Sequence, residues 1–347
     1  MKVAIVGAGV MGRLAALKLI GAQHRVTLFE AQSFDHPQGA ATISAGMISP
    51  LSEAVHAPPE VVRLGLQSHN LWPDALSQLR ELDPEHHPVF FQQHGTVAIS
   101  FSEEQDCLLC LYAKMHQLLP EHHSQIRMLY NQEVLNLEPD LERFETAVFL
   151  KNEGQICNRQ FLAASTRAIR QHAQVIEHWP LEGNGSVLQK QYDWVIDCRG
   201  AGAVKASTYA ETGAQALHSV RGEAIRVRTK RVHFTRPVRI IQQRFHVYVV
   251  PKPDNIFVVG TTDLGDRGTR SVTVRSSLDL LSAIYCLHPG FADAEILEVM
   301  GTHRAFYSDN RPKITQNGNI ICVNGLSRQG WLLGPALVED IFKRVTC

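Results

Sequence analysis

Lys2-Val3-Ala4-Ile5-Val6-Gly7-Ala8-Gly9-Val10-Met11-Gly12 opens the chain, and Glu30 closes a second apolar run, Val26-Thr27-Leu28-Phe29. The order predicts strand, glycine turn, helix, strand and acid, the first half of a dinucleotide-binding unit. Each part has a physical task. Gly7 permits the sharp turn out of the strand, Gly9 lets the backbone approach a pyrophosphate, and Gly12 lets the helix sit close on the sheet. Val10 and Met11 begin that helix, whose free N–H groups and dipole favour negative charge. The Glu30 carboxylate can accept hydrogen bonds from a ribose diol. The motif predicts a dinucleotide site and leaves NAD and FAD both open.

At 347 residues the chain has room for about two domains and a large core. Lys+Arg and Asp+Glu are equal at 34 each, and no basic block or aromatic-basic stripe suggests nucleic acid. The first apolar run carries three glycines and stops at Arg13, unlike a secretory leader. No apolar run approaches the ~20 residues a bilayer requires, so no membrane span is expected. Seven scattered cysteines, an odd number, suit reduced thiols in a cytoplasm. Cys107 and Cys110 have metal or redox spacing, but they sit in an apolar, helix-periodic stretch without a second pair and read as core thiols. His86-His87 and His122-His123 follow Pro-Glu in polar surroundings and read as loop histidines, so no metal is expected. Neither a GxSxG elbow nor an HExxH helix is present.

The run Gly39-Ala40-Ala41-Thr42-Ile43-Ser44-Ala45-Gly46, ahead of Met47, is nearly free of bulk and can lie against something flat or charged. Helices are predicted over 59–82, 160–172 and 276–287, and strand-like sequence within 89–100 and at 175–176. Trp194-Val195-Ile196-Asp197-Cys198-Arg199-Gly200 reads as a buried strand ending in a glycine turn, where the nucleotide-binding pattern resumes. Segments 223–227, 238–242, 247–250 and 256–262 read as an antiparallel sheet. A strand at 320–323 runs through Asn324-Gly325-Leu326-Ser327-Arg328-Gln329-Gly330 into a helix over 331–344. The fold class is therefore α/β plus antiparallel β. A Rossmann-like, doubly wound domain is built from 1–82, 151–215 and 305–347, and a β-rich substrate domain, 83–150 and 216–304, is inserted twice. The late strand-to-helix junction aims a second helix N-terminus at the ligand. Its positive end suits the negative charge on the N1–C2=O side of a reduced flavin, which favours FAD over NAD.

These motifs, with Ala45-Gly46-Met47, Val220-Arg221-Gly222-Glu223, Tyr248-Val249-Val250-Pro251, Val259-Gly260-Thr261, Arg304, Arg311-Pro312 and the stretch 324–335, resemble the D-amino-acid oxidase family of FAD enzymes over nearly the whole chain. Within it they are most similar to the bacterial glycine-oxidase branch linked to thiazole formation in thiamin biosynthesis. The resemblance implies FAD contacts at Ala8, Gly9, Glu30, Ala31, Ala40, Ala41, the 45–47 loop and Leu181, with Leu326, Ser327, Arg328, Gln329, Gly330, Trp331 and Leu332 at the flavin. It implies that Tyr248 and Arg304 hold a substrate carboxylate, with Arg328 beside flavin and substrate. No cysteine stands near Arg304 where relatives attach flavin covalently, so FAD is expected to be bound non-covalently.

The implied reaction is oxidation of glycine or a similar small amino acid or amine, with oxygen as acceptor, giving an imine or α-keto acid, ammonia and hydrogen peroxide. An arginine fork suits the carboxylate because it binds through two parallel bonds and stays charged. Alternatives are a relative acting on sarcosine, another D-amino acid or a modified base, a flavin-binding protein with little oxidase activity, and an NAD-dependent dehydrogenase. A homo-oligomer is compatible with all of them. Asp263 is a further substrate-site candidate. With an even-numbered loop centred on Asp254-Asn255, Tyr248 pairs with Thr261 and residue 246 with 263, so Tyr248 and Asp263 share a face. Asp263 would then attract a substrate ammonium or pair with an arginine, disfavour apolar D-amino acids and narrow the range toward small or polar amines; otherwise it is a solvated strand end.

Overall fold

The computed structural model describes residues 1–85, 88–183, 185–204, 216–243, 246–262 and 271–346. His86-His87 and Asp263 lie outside the described residues. Lys2–Val6 is a central strand of a six-stranded sheet ordered Lys313–Asn317, Ile320–Asn324, Trp194–Asp197, Lys2–Val6, Arg25–Phe29, Gln174–Ile176. All neighbours are parallel except the hairpin of the first two. Period-2 alternation divides the central strand between two cores. Val3 and Ile5 face the helices Val10–Gly21, Pro59–Leu82, Asn158–His172 and Gly330–Thr346. Ala4 and Val6 face Leu188, Trp179 and Tyr192 on the other side. Val10–Gly21 is apolar nearly all round because the sheet and three helices enclose it.

Two of these helices carry an internal proline, which removes an N–H and leaves the carbonyl four residues earlier without its helical partner. Both carbonyls are satisfied from elsewhere. Pro73 frees His69, whose oxygen accepts from Gln93 Nε2 at 2.6 Å. Pro335 frees Trp331, whose oxygen accepts from Trp72 Nε1 at 3.0 Å.

An eight-stranded sheet is ordered Glu295–Tyr307, Leu217–Arg228, Ile256–Gly260, Val247–Lys252, Val238–Ile240, Thr96–Ile99, Thr146–Leu150, Ile126–Tyr130. It is antiparallel except where Val238–Ile240 runs beside Thr96–Ile99. One face packs Ile225, Val227, Val249, Phe257 and Val259 on the helix Val274–Leu287. The opposite face presents Ala224, Tyr248, Val250 and Val258 to Ile43, Ala45 and Met47 of the small-residue run. The long strand Glu295–Tyr307 was not expected, and it runs across the 304/305 boundary.

The hairpin register differs from expectation. Tyr248 pairs with Gly260, not Thr261, because Lys252 pairs with Ile256 and the loop has three residues. Asp254 and Asn255 both take positive φ, 66° and 57°, which closes this loop. A one-residue slip exchanges faces, so Thr261 is not the residue directly opposite Tyr248. Cys110 is exposed and Cys107 half-buried, since Leu108 and Met115 form the buried side of the helix Gln105–Leu118. The core-thiol reading is thus corrected for Cys110, while Cys107 packs against the core around Leu108 and Met115. Among the described residues, no helix is long and apolar enough to cross a membrane.

Lys252 is buried and donates to Ile156 O at 2.8 Å and Gln155 Oε1 at 3.1 Å, which holds the strand Gly154–Ile156 against the larger sheet. Burial pushes its ammonium down to about 7. The unfolded chain, with an ordinary lysine, binds more protons than the folded one between pH 7 and about 10.4, so this group adds stability as pH rises through that window. The slope is at most about 1.4 kcal/mol per pH unit. Urea unfolding at pH 7, 8 and 9 should therefore show Lys252→Met losing ground to the wild type with rising pH; parallel stability curves would refute it.

Candidate active site

A cavity of about 820 Å³ lies between the two sheets, toward the upper end of the range for small-molecule sites. Gly7, Ala8, Gly9, Val10, Met11, Glu30, Ala31, Ala40, Ala41, Ala45, Gly46, Met47, Leu181, Gly200, Tyr248, Arg304 and 326–332 all line it. Two nominated glycines do not. Gly12 packs the first helix, for a Cβ there would stand 1.9 Å from Gly7 O. Gly325, at φ +80°, lies against the Tyr307 ring.

One end of the cavity is built for phosphate. Gly7 has φ +94°, as its turn requires. Gly9 caps the first helix without a side-chain cap, and a Cβ on it would meet nothing within 4 Å. The first-turn N–H groups have no helical acceptor and face a cradle that a side chain would fill. Glu30 stands beside it, accepting from Ala8 N at 2.7 Å and Gln32 N at 3.0 Å. A carboxylate has about four acceptor positions, so capacity for a diol remains. These features fit a dinucleotide. Arg199 pairs with Asp197 at 2.7 Å and donates to Leu181 O and Gly183 O, which pins Leu181 at the wall. Cys198 also lines the cavity, but burial and the neighbouring Asp197 push its thiol well up, leaving it protonated and a poor nucleophile.

The residue that fixes this end was not recognised from sequence. Arg13 is fully buried and donates to Ala8 O, Leu162 O, Ser165 Oγ, Thr166 Oγ1 and Phe34 O. Its guanidinium stacks 4.1 Å from the centre of the Phe34 ring. Burial pushes it down to about 9 against the pull of Glu30 and Asp35, so it is charged at neutral pH. An arginine inside an otherwise apolar helix was the available signal.

The other end carries the nominated substrate residues on the inner face of the eight-stranded sheet. Met300, Ala224, Gly260, Tyr248 and Arg239 form one cross-strand row. Gly260 and Gly222 leave the sheet bare. A Cβ on Gly260 would lie 2.7 Å from the Tyr248 hydroxyl, and one on Gly222 would lie 2.8 Å from the Arg304 guanidinium. Both side chains therefore lie over glycine, and Arg304 Nη2 also donates to Thr262 O at 3.2 Å. Arg221 and Glu223 form a buried pair at 3.1 Å beneath.

Glu53, also missed, is buried and accepts from Arg328 at 3.3 Å and Gln329 Nε2 at 2.8 Å. Burial alone would raise its carboxyl, but the Arg328 and Arg239 charges and the Gln329 bond outweigh this and hold it below the usual range. Glu53 thereby positions the 326–330 turn. Trp331, at the start of the last helix, donates to Ser44 Oγ at 2.6 Å and stacks on Trp72, with Phe161 edge-on. His56 and His246 meet in the wall at 5.3 Å between ring centres, and burial keeps both imidazoles neutral, His246 down to about 4.

The chain is 32% identical to a Rhizobium etli protein assigned by inference as the thiamine biosynthesis oxidoreductase ThiO, over 99% of this chain and 96% of the relative. It is 26% identical to the glycine oxidase of Geobacillus kaustophilus, over 99% and 93%. The crystal structure of glycine oxidase from Geobacillus kaustophilus superimposes with a TM-score of 0.83 at 23% identity, covering 99% of this chain and 94% of that one, which shows the shared fold. The model of the DAO family, FAD dependent oxidoreductase, matches residues 2–341, and the chain belongs to that family.

Proposed function

We propose that this protein oxidises glycine or a similarly small amino acid or amine at the Tyr248–Arg304 end of the cavity and supplies the product to thiazole synthesis for thiamin. The observation that carries the reading is the pair of side chains laid over Gly260 and Gly222, in the same cavity as two helix N-termini. The likeness to the Rhizobium etli and Geobacillus kaustophilus proteins supports it. Gly9 and the first helix would hold the pyrophosphate, Glu30 the ribose, and residues 326–332 the flavin. Bound FAD supplies a two-electron acceptor that oxygen regenerates with release of hydrogen peroxide.

Arg304 grips the substrate carboxylate and Tyr248 adds a third contact, fixing which face of the α-carbon turns inward. Trp331 and Leu332 keep bulk water from that face. No side chain is assigned as a base, because an amine bound neutral requires none. We divide the roles as 1–82, 151–215 and 305–347 for cofactor, and 83–150 and 216–304 for substrate.

The cofactor should be FAD held without a covalent bond. Heat or acid should release it, and Gly9→Val should purify colourless; flavin that stays on the denatured chain would contradict this. Arg304→Ala should lower kcat/KM for glycine at least tenfold, as expected for a lost charge-assisted pair of ~1.5–3 kcal/mol, while FAD content holds. A peroxide-coupled assay on glycine, sarcosine and D-alanine tests it, and normal glycine turnover by the variant would remove Arg304 from the role.

A further inference from the structure

Arg221 and Glu223 form a charged pair that the reaction proposed above does not use, although the pair adjoins the carboxylate anchor. Both residues are 1% exposed, and Arg221 Nη2 stands 3.1 Å from Glu223 Oε1. Among the described residues, Glu223 Oε1 and Arg221 Nε form no hydrogen bond, so the pair is held by charge. Between them in the chain is Gly222, over which the Arg304 guanidinium lies. In the neighbouring strand, Arg304 stands opposite Val220 and His303 opposite Arg221. Glu223 and Arg304 also converge on one residue. Glu223 Oε2 accepts from Thr262 Oγ1 at 3.3 Å, and Arg304 Nη2 donates to Thr262 O at 3.2 Å. Glu223 reaches the cavity lining, whereas Arg221 does not. A buried ion pair adds little stability over an apolar pair of similar size, so stability alone does not account for it. A bare carboxylate this near to Arg304 would cancel much of its field, because buried charges are weakly screened. The Arg221 charge, fixed at any working pH, offsets that carboxylate from outside the lining.

We infer that Arg221 is a positioning residue for the substrate carboxylate: it neutralises Glu223 and so leaves the positive potential of Arg304 directed into the cavity. Glu223 in turn holds Thr262, whose carbonyl orients the guanidinium. Breaking the pair from its two sides then has unlike consequences. Loss of Arg221 leaves an uncompensated carboxylate beside Arg304 and weakens anion binding. Loss of the Glu223 charge leaves an extra cation and does not weaken it. A pair that served stability alone would make no such distinction. This role rests on the reading of Arg304 as the carboxylate anchor and is indifferent to which amine is oxidised.

The test compares holoenzyme with Arg221→Met, Arg221→Lys, Glu223→Gln and the double variant Arg221→Met/Glu223→Gln, after FAD content and thermal unfolding confirm that each is loaded and folded. Calorimetry with acetate, a carboxylate without an amine, reads the anchor without turnover, and peroxide release follows glycine. Arg221→Met should weaken acetate binding about tenfold and raise the KM for glycine by a similar factor, with kcat changing far less. Arg221→Lys should keep most of the affinity. Glu223→Gln, which keeps an acceptor for Thr262, should bind acetate at least as tightly as the wild type. The double variant should recover most of what Arg221→Met loses. If Arg221→Met does not fold, Arg221→Gln, which keeps a donor to Glu223 without the charge, takes its place with a loss in the same direction. Acetate binding indifferent to Arg221, or a double variant as weak as Arg221→Met, would overturn the inference. If no amine is oxidised but the acetate pattern appears, the oxidase reading fails and the role of Arg221 stands. If the wild type oxidises glycine while acetate affinity ignores Arg221, that role falls and the oxidase reading stands.

Discussion

The phosphate-binding end of the cavity depends on one buried cation. Arg13 ties the glycine turn at Ala8, the helix Asn158–His172 and the backbone at Phe34 into a single hydrogen-bonded unit. Burying a guanidinium is expensive, and the expense is tolerable only when its donors are nearly all used. Here carbonyls and hydroxyls use them, and among the described residues no carboxylate hydrogen-bonds to it, Glu30 and Asp35 acting only at a distance. The charge therefore remains effective behind the turn. It adds to the helix dipole at the place where a polyanion would lie. Arg13 thus links folding to binding: the bonds that hold the turn in shape also set the sign of its potential.

The second helix N-terminus is fixed by a different device. Pro335 removes the hydrogen bond that would hold the Trp331 carbonyl, and Trp72 replaces it from a helix that is itself interrupted at Pro73. Both prolines free a carbonyl that another segment satisfies, so each helix is locked to its surroundings where it is locally weakest. Trp331 is held on three sides, through its carbonyl, its indole N–H to Ser44 and its ring between Trp72 and Phe161. A side chain held this way keeps its part of the cavity wall rigid, as a flat ligand would need.

What could be read from sequence follows from the range of each constraint. Gly7, Gly9 and the strand before them were legible because backbone geometry within a few residues demands them. The cavity position of the 39–47 run was legible for a similar reason, since absence of bulk is a local property. Arg13, Glu53 and Arg239 were not legible, because their environment is made by segments far away in the chain. The strand Glu295–Tyr307 was missed because it lies at a sheet edge, where Glu295, Ile296 and Val299 are exposed and no clean alternation survives. The hairpin shows how little separates a right from a wrong reading. Its strands were found, but a three-residue loop instead of an even-numbered one moved the partner of Tyr248 from Thr261 to Gly260. One loop residue thus changed which side chains share a face.

That register has a chemical consequence. With Gly260 opposite Tyr248 and Gly222 close to Arg304, the sheet surface has two bare positions where a phenol and a guanidinium can lie flat instead of standing upright. A flat side chain presents its polar end sideways into the cavity, and its position is set by the sheet below it. Such groups lose less rotamer freedom when they meet a ligand, so more of their attraction survives as affinity and orientation. Glycine weakens a strand interior, and here Gly222 lies inside a twelve-residue strand while Gly260 ends a five-residue one. The eight-stranded sheet is stable enough to absorb that weakness because its other face is packed on Val274–Leu287. The helix-packed face holds the sheet together, and this leaves the cavity face free to be shaped by binding.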